Sequence, residues 1–273
     1  MPEIQFAEQA GVGPHGATRP TEDRLVVLDN AVLLLDGATS LRPELPSGGW
    51  YAEQLAAELA DRLTARPADD LADLLAAAIE AVRDRHGLRP GHAPSSTIAM
   101  LRWTDAQLDA LVLADSPVVA FGPGGTRVLA DNRLAELPRG SGGFRERLRS
   151  GAGFGAGHLA ALTVGTSATA AWRNVDGGFW VAEAEPAAAY RAVRARWARS
   201  SVNTVLLATD GVSCAVDDYE MFSWPGLREL ACAEGPQAVL DAIREAEVSD
   251  PDGRRWPRPK PHDDQAIVLI TDW

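Results

Sequence analysis

Residues 24–29, RLVVLD, and 31–37, AVLLLDG, are short apolar runs that meet at Asp29-Asn30. Asp-Asn is a good turn pair, so the two runs predict an antiparallel hairpin. The period then lengthens. Ser47 offers an N-cap to a helix in which Leu55, Leu59 and Leu63 fall four apart, and Pro67 stops it. Asp69 opens a second helix with Leu71, Leu74, Leu75, Ala78, Ile79 and Val82 on one face, ended by Gly87. Together they form a helical hairpin with an apolar stripe to bury. Strand-like runs return at 95–103 (SSTIAMLRW), 107–115 (QLDALVLAD), 117–122 (PVVAFG) and 126–131 (TRVLAD). The glycine-rich stretch 139–157 predicts a long surface loop. Beyond it the pattern predicts a strand at 177–182 (GGFWVA), a helix after Pro186, a strand at 204–210 (TVLLATD), helices near 225–233 and 236–247, and a last strand at 265–270 (QAIVLI). No fixed repeat emerges, and this order predicts sheets covered by helices in a single domain spanning residues 1–273.

Composition narrows the function. The chain has 273 residues, 46% of them hydrophobic, enough for a sizeable core. A formal net charge of -12 argues against nucleic acid as a partner, because that binding rests on Lys and Arg neutralising phosphates. Cys214 and Cys232 have neither disulfide-framework nor zinc spacing. The N-terminal MPEIQFAEQA lacks a long apolar core, and no segment approaches the roughly 20 apolar residues of a membrane helix. The expectation is a cytoplasmic protein with no membrane partner. The eight tryptophans are scattered and read as packing residues.

The acids carry the candidate chemistry. Asp36 and Asp210 each end an aliphatic run and precede a glycine, Asp115 ends LDALVLAD, and Asp264 directly precedes the closing strand. One Asp-Gly is an ordinary turn. Four acids at strand ends are another matter, since neighbouring strands lie only about 5 Å apart. Gathered there they would repel unless a cation stood between them, and hard oxygen ligands select magnesium or manganese over zinc. Gly37, without a side chain, leaves its backbone carbonyl free to approach such an ion.

In order along the chain, RPTEDR (19–24), LLLDGA (33–38), SSTIAM (95–100), LADSPVVAFG (113–122), LLATDGVS (206–213) and DDQAIVLI (263–270) resemble the motifs of the metal-dependent Ser/Thr protein phosphatases of type 2C, the PPM family, in its bacterial form. The resemblance implies an α+β fold, a four-layer α-β-β-α sandwich of two antiparallel sheets flanked by helical pairs. It implies a centre of two Mn2+ or Mg2+ ions, with a third, weaker one. Asp36 would bridge the two ions and Gly37 would give its carbonyl to one of them. Asp210 and Asp264 would hold the other, and Asp115 would help bind the third. Glu22 and Asp23 would support the metals through water, Arg19 would grip the substrate phosphate, and the stretch 139–157 would be a mobile flap. Two such ions lower the pKa of a water between them and neutralise the phosphoryl oxygens it attacks in line, so no protein nucleophile is required.

The implied activity is hydrolysis of phosphoserine and phosphothreonine in a phosphorylated protein, a signalling role. A catalytically silent phospho-binding or regulatory module and a small-metabolite phosphatase stand as alternatives. Thr21, Pro117 and Gln265 depart from the family's Asn, Arg and Asn, and Cys214 stands where many members have a further Asp. His262 reads as a solvated loop residue, and Arg254, Arg255, Arg258 and Lys260 as solvated charges around it.

Overall fold

The computed structural model describes residues 1–13, 16–40, 42, 44–138 and 143–273. Among the described residues there are ten strands: β1 (Glu3–Gln9), β2 (Asp23–Leu28), β3 (Ala31–Asp36), β4 (Ile98–Trp103), β5 (Gln107–Leu113), β6 (Val118–Gly122), β7 (Gly125–Leu129), β8 (Val193–Ala198), β9 (Thr204–Ala208) and β10 (Gln265–Thr271). The helices are α1 (Gly48–Ala65), α2 (Leu71–His86), α3 (Phe144–Arg149), α4 (Ala156–Ala170), α5 (Asp210–Asp217), α6 (Trp224–Glu234) and α7 (Pro236–Ser249). Two antiparallel five-stranded sheets result, ordered β1-β10-β9-β6-β7 and β2-β3-β4-β5-β8.

Alternation along the inner strands builds the layers. Leu33 and Leu35 of β3 pack under α1 and α2, whereas Val32 and Leu34 face the other sheet. Leu206 and Ala208 of β9, with Ile267 and Leu269 of β10, pack under α5, α6 and α7, whereas Val205, Leu207, Val268 and Ile270 enter the core shared by both sheets. Each inner strand is therefore covered on two faces, which is why these segments are apolar without a break rather than alternating. The helices end where their caps dictate. The Ser47 hydroxyl accepts from Trp50 N–H at 3.1 Å at the start of α1. Asp70, one residue past the expected cap, accepts from Ala72 N–H at 2.9 Å, and Gly87 closes α2 in the left-handed region at φ 64°.

Several elements differ from the sequence pattern. β1 is an edge strand in which only Ala7 is buried, and a mostly polar edge gives little apolar signal. The segment after Pro186 makes one short 3-10 turn, Pro186–Arg191, and then β8, whose VRARWA alternates outward. Residues 177–182 form no strand; isolated bridges join Arg173 with Phe179 and Ser96 with Ala182, and Val181 N–H donates to Asn174 Oδ1. Within the long loop expected over 139–157, residues 144–149 form α3, and α4 begins at its end, at Ala156, to pair with α3; residues 139–142 lie outside the described residues. The sequence of α4, AGHLAALTVGTSATA, spreads small and apolar residues around the helix and so shows no single stripe. Among the described residues no helix is long and apolar enough to cross a membrane.

Candidate metal centre

The ends of the two sheets bring four aspartates to one edge. Asp36 is the last residue of β3, and Asp115 lies two residues past β5, both in the second sheet. Asp210 opens α5 two residues past β9, and Asp263 lies two residues before β10, both in the first sheet. All four are partly exposed, whereas Glu22, Asp23 and Asp264 behind them are buried. Asp23 is the cross-strand partner of Asp36 in the β2–β3 register.

Hydroxyl groups on buried strands fix this edge. The Asp36 N–H donates to Thr97 Oγ1 at 3.0 Å, and the Asp36 carbonyl accepts from Thr97 N–H and from Ser96 Oγ, both at 2.9 Å. Thr97 Oγ1 also meets Ser116 Oγ at 2.6 Å, tying the end of β3 to the residue after Asp115. In the other sheet Thr209 Oγ1 donates to Asp23 Oδ2 at 3.1 Å and accepts from Ala266 N–H at 3.0 Å. Gly37 is required for packing here: a Cβ would overlap the backbone of Gly48 at the start of α1. Gly211 is equally constrained, since a Cβ there would strike the Asp264 carbonyl.

The electrostatics are those of crowded acids. Burial, then Asp210, Asp23 and Asp263, push the Asp36 carboxyl well above its ordinary range, and Asp36 shares a hydrogen bond with Asp210. Burial and the charges of Asp263 and Asp115 push Asp210 up to about 8. Asp23 is raised well above its usual value by burial and by Asp264, Asp210 and Asp263, and Asp115 is raised chiefly by burial. Such a set is costly unless protons or a cation neutralise it.

Two cations already reach the cluster. Arg19 forms ion pairs with Glu22 Oε2 at 2.9 Å and Asp264 Oδ2 at 2.6 Å, and donates to Thr39 Oγ1 at 3.2 Å. Both terminal nitrogens of its guanidinium are thus held by the protein itself. Asp264 also accepts from the N–H groups of Gly11 at 2.8 Å and Glu22 at 3.2 Å. Lys260 pairs with Asp263 Oδ1 at 2.5 Å and donates to Thr39 Oγ1 at 3.1 Å. Burial alone would lower its ammonium, yet Asp263, Asp210 and Asp264 carry it above the usual lysine range.

The structure therefore gathers Asp36, Asp115 and Asp210 with Asp263, and turns Asp264 back toward Arg19 and Glu22. Thr39, Thr97 and Thr209 carried no functional reading in the sequence, the signal available for Thr97 and Thr209 being a hydroxyl at the end of an otherwise apolar strand; Lys260, read there as a solvated charge, is instead largely buried and paired with Asp263. His262 is not a solvated loop residue: its Nδ1 meets the buried Glu247 carboxylate at 3.0 Å, facing α7. Nor is Arg258 a solvated charge, since it is 4% exposed and donates to the carbonyls of Glu247, Asp250, Trp256 and Pro261.

A divalent ion fits this donor set. Asp23 Oδ1 is a buried oxygen with no hydrogen-bond partner, and the gathered carboxylates of Asp36, Asp115, Asp210 and Asp263 are hard oxygen donors. Among the described residues no three acid, histidine or cysteine side chains form a ready-made cage for one ion. That is compatible with magnesium or manganese held by one or two carboxylates plus water, rather than by an all-protein cage.

No protein-family model matches the chain, and no curated protein matches it in sequence. In structure it is similar to MsPP, a PPM Ser-Thr phosphatase from Mycobacterium smegmatis in complex with cacodylate, at 15% identity over 98% of this chain and 97% of that one, TM-score 0.56. It is similar to the serine/threonine phosphatase Stp1 from Staphylococcus aureus, at 13% identity over 100% and 96% of the two chains, TM-score 0.57. It is also similar to the catalytic domain of the serine threonine protein phosphatase PstP in complex with two manganese ions, at 14% identity over 99% of each chain, TM-score 0.55. The chain thus has the two-sheet α+β fold of the PPM phosphatases.

Proposed function

We propose that this protein is a divalent-metal-dependent phosphatase acting on phosphoserine and phosphothreonine in proteins. The observation that carries the reading is the meeting of Asp36 and Asp210, one from each sheet, in a shared hydrogen bond beside Asp115, Asp263 and the unpaired oxygen of Asp23. The ligands in this reading are Asp36, Gly37 through its carbonyl, Asp210, and Asp263 in place of its neighbour Asp264, with Asp115 for a weaker third ion. Bound there, Mn2+ or Mg2+ would supply the positive charge that activates water and neutralises a phosphoryl group.

The chain's own part is positional. Thr97 and Ser96 hold the Asp36 backbone, Thr209 holds Asp23, and Glu22 locks the start of α1 by accepting from Gly49 N–H at 3.3 Å. The proton shared by Asp36 and Asp210 has to leave when a cation enters, so metal loading releases protons. Arg19, with both terminal nitrogens engaged, braces Glu22 and Asp264, and reaches a substrate phosphate only by giving up one of those partners. That favours a second reading, a metal-binding module without catalysis. One assay separates the two: hydrolysis of p-nitrophenyl phosphate and of phosphoserine, phosphothreonine and phosphotyrosine peptides, with Mn2+, with Mg2+ and with chelator. Turnover that requires either ion and favours phosphoserine and phosphothreonine peptides is expected. Metal binding without turnover supports the silent module, and metal-independent turnover overturns the metal-centre reading.

A further inference from the structure

Lys260 is the sole lysine of the chain; the other cations among its 26 Lys and Arg residues are all arginine. That one lysine lies in the acid cluster, 11% exposed, with Asp263 and Thr39 as its partners and with Asp210 and Asp264 near enough to act on its charge. The choice has a chemical sense. Guanidinium is a planar fork that demands matching geometry, whereas ammonium is a compact point charge able to stand among oxygens as a metal ion does.

We infer that Lys260 is a built-in counter-cation that limits this centre to one tightly bound divalent ion, a second entering only when the ammonium is displaced from Asp263. The inference rests on the metal-centre reading above. Asp263 Oδ1 already accepts from the ammonium at 2.5 Å and from Asp264 N–H at 2.8 Å. A divalent ion on that oxygen, at about 2.0–2.6 Å, would lie within a few ångströms of the ammonium and be repelled by it. Among the described residues Asp36 and Asp210 make no hydrogen bond to Lys260, so a first ion on their side displaces the proton they share and not the ammonium.

The test counts Mn2+ on the full chain by calorimetry and electron paramagnetic resonance, with an amine-selective reagent reporting Lys260 by mass spectrometry. Wild-type protein should bind one ion tightly and a second at least about tenfold more weakly, with Lys260 becoming labelled only as the second binds. Lys260→Met and the polar but uncharged Lys260→Gln should each tighten the second ion by about tenfold. If both variants bind the second ion as wild type does, or if wild type takes two equally tight ions while Lys260 stays protected, the inference fails and the metal-centre reading stands. If no form binds Mn2+, both fail. Should the variants not fold, labelling of the wild type alone decides the matter.

Discussion

Asp263 and Asp264 are neighbours with opposite employment. Asp264 is 3% exposed and accepts from Arg19 and two backbone N–H groups, whereas Asp263 is partly exposed and faces the crowded acids. Asp264→Asn should therefore lower stability by about 2 kcal/mol or more, because it breaks a largely buried ion pair, while Mn2+ binding at Asp36 and Asp210 survives. Asp263→Asn should do the reverse, weakening the second ion with little loss of stability, and Asp36→Asn should remove both ions and all turnover. Urea unfolding and manganese titration of the three variants check this; a matching pattern for Asp263→Asn and Asp264→Asn would count against the division. Sequence could not draw it. Successive residues of an extended segment face opposite sides, so in a bare Asp-Asp pair the register decides which carboxylate turns inward, and here Gly11, Glu22 and Arg19 from distant parts of the chain hold that of Asp264.

The α3–α4 pair is the element that departs furthest from its sequence pattern. Leu148 is fully buried, the rings of Phe144 and Phe154 stand edge-on to His158 at 5.6 and 5.1 Å, and His158 Nε2–H donates to the Pro259 carbonyl at 2.7 Å. Arg145 adds contacts to Asp218 at 3.1 Å and the Pro257 carbonyl at 3.2 Å, and Arg258 lies over the Phe154 ring. The pair is thus docked on the loop that carries Lys260 and Asp263, by a small aromatic cluster apart from the main core. As a flap, it would open at the cost of that cluster and of the Arg145 and His158 contacts. Leu148→Ala should destabilise the pair by about 2–4 kcal/mol, raising hydrogen exchange across 144–170 and altering turnover of phosphopeptides more than of an aryl phosphate. An equal loss of protection throughout the molecule would show instead that α3 and α4 unfold with the core. The glycines of 139–157 suggested a loop because glycine weakens helices; residues outside that stretch decided otherwise.

At the scale of the whole molecule, the centre is a joint between two sheets. Its repulsion is therefore felt by the packing of one sheet on the other, and protons or cations relieve it. In the folded, metal-free chain Asp210 keeps its proton up to about 8, whereas an unfolded aspartate loses it near 3.9. The folded state binds more protons throughout that window, so stability is greatest at its acid end and falls as pH rises through it. The melting temperature without metal should drop by about 5 °C or more between pH 6 and pH 9, and Asp210→Asn should flatten the slope. Mn2+ at about 100 times its Kd should add about 2.7 kcal/mol and flatten it too. A metal-free melting temperature that does not change over this range would remove the electrostatic argument for the centre.

By itself the sequence determined the two-sided burial of the inner strands, the α1–α2 pair with its caps, the β2–β3 hairpin and the placing of Asp36, Asp115 and Asp210 at strand ends. Those features are local: period, cap and turn chemistry are written in consecutive residues. Tertiary structure alone decided that β1 and β8 are edge strands, that α3 and α4 are helices, that Asp264 is buried against Arg19 while Asp263 stays partly exposed beside Lys260, and that Lys260 enters the midst of the acids. Each of these depends on partners far away in the chain. Edge strands are held by pairing on one side, α3 by packing on the 251–264 loop, and the charges by a field summed over both sheets, none of which a window of neighbouring residues contains.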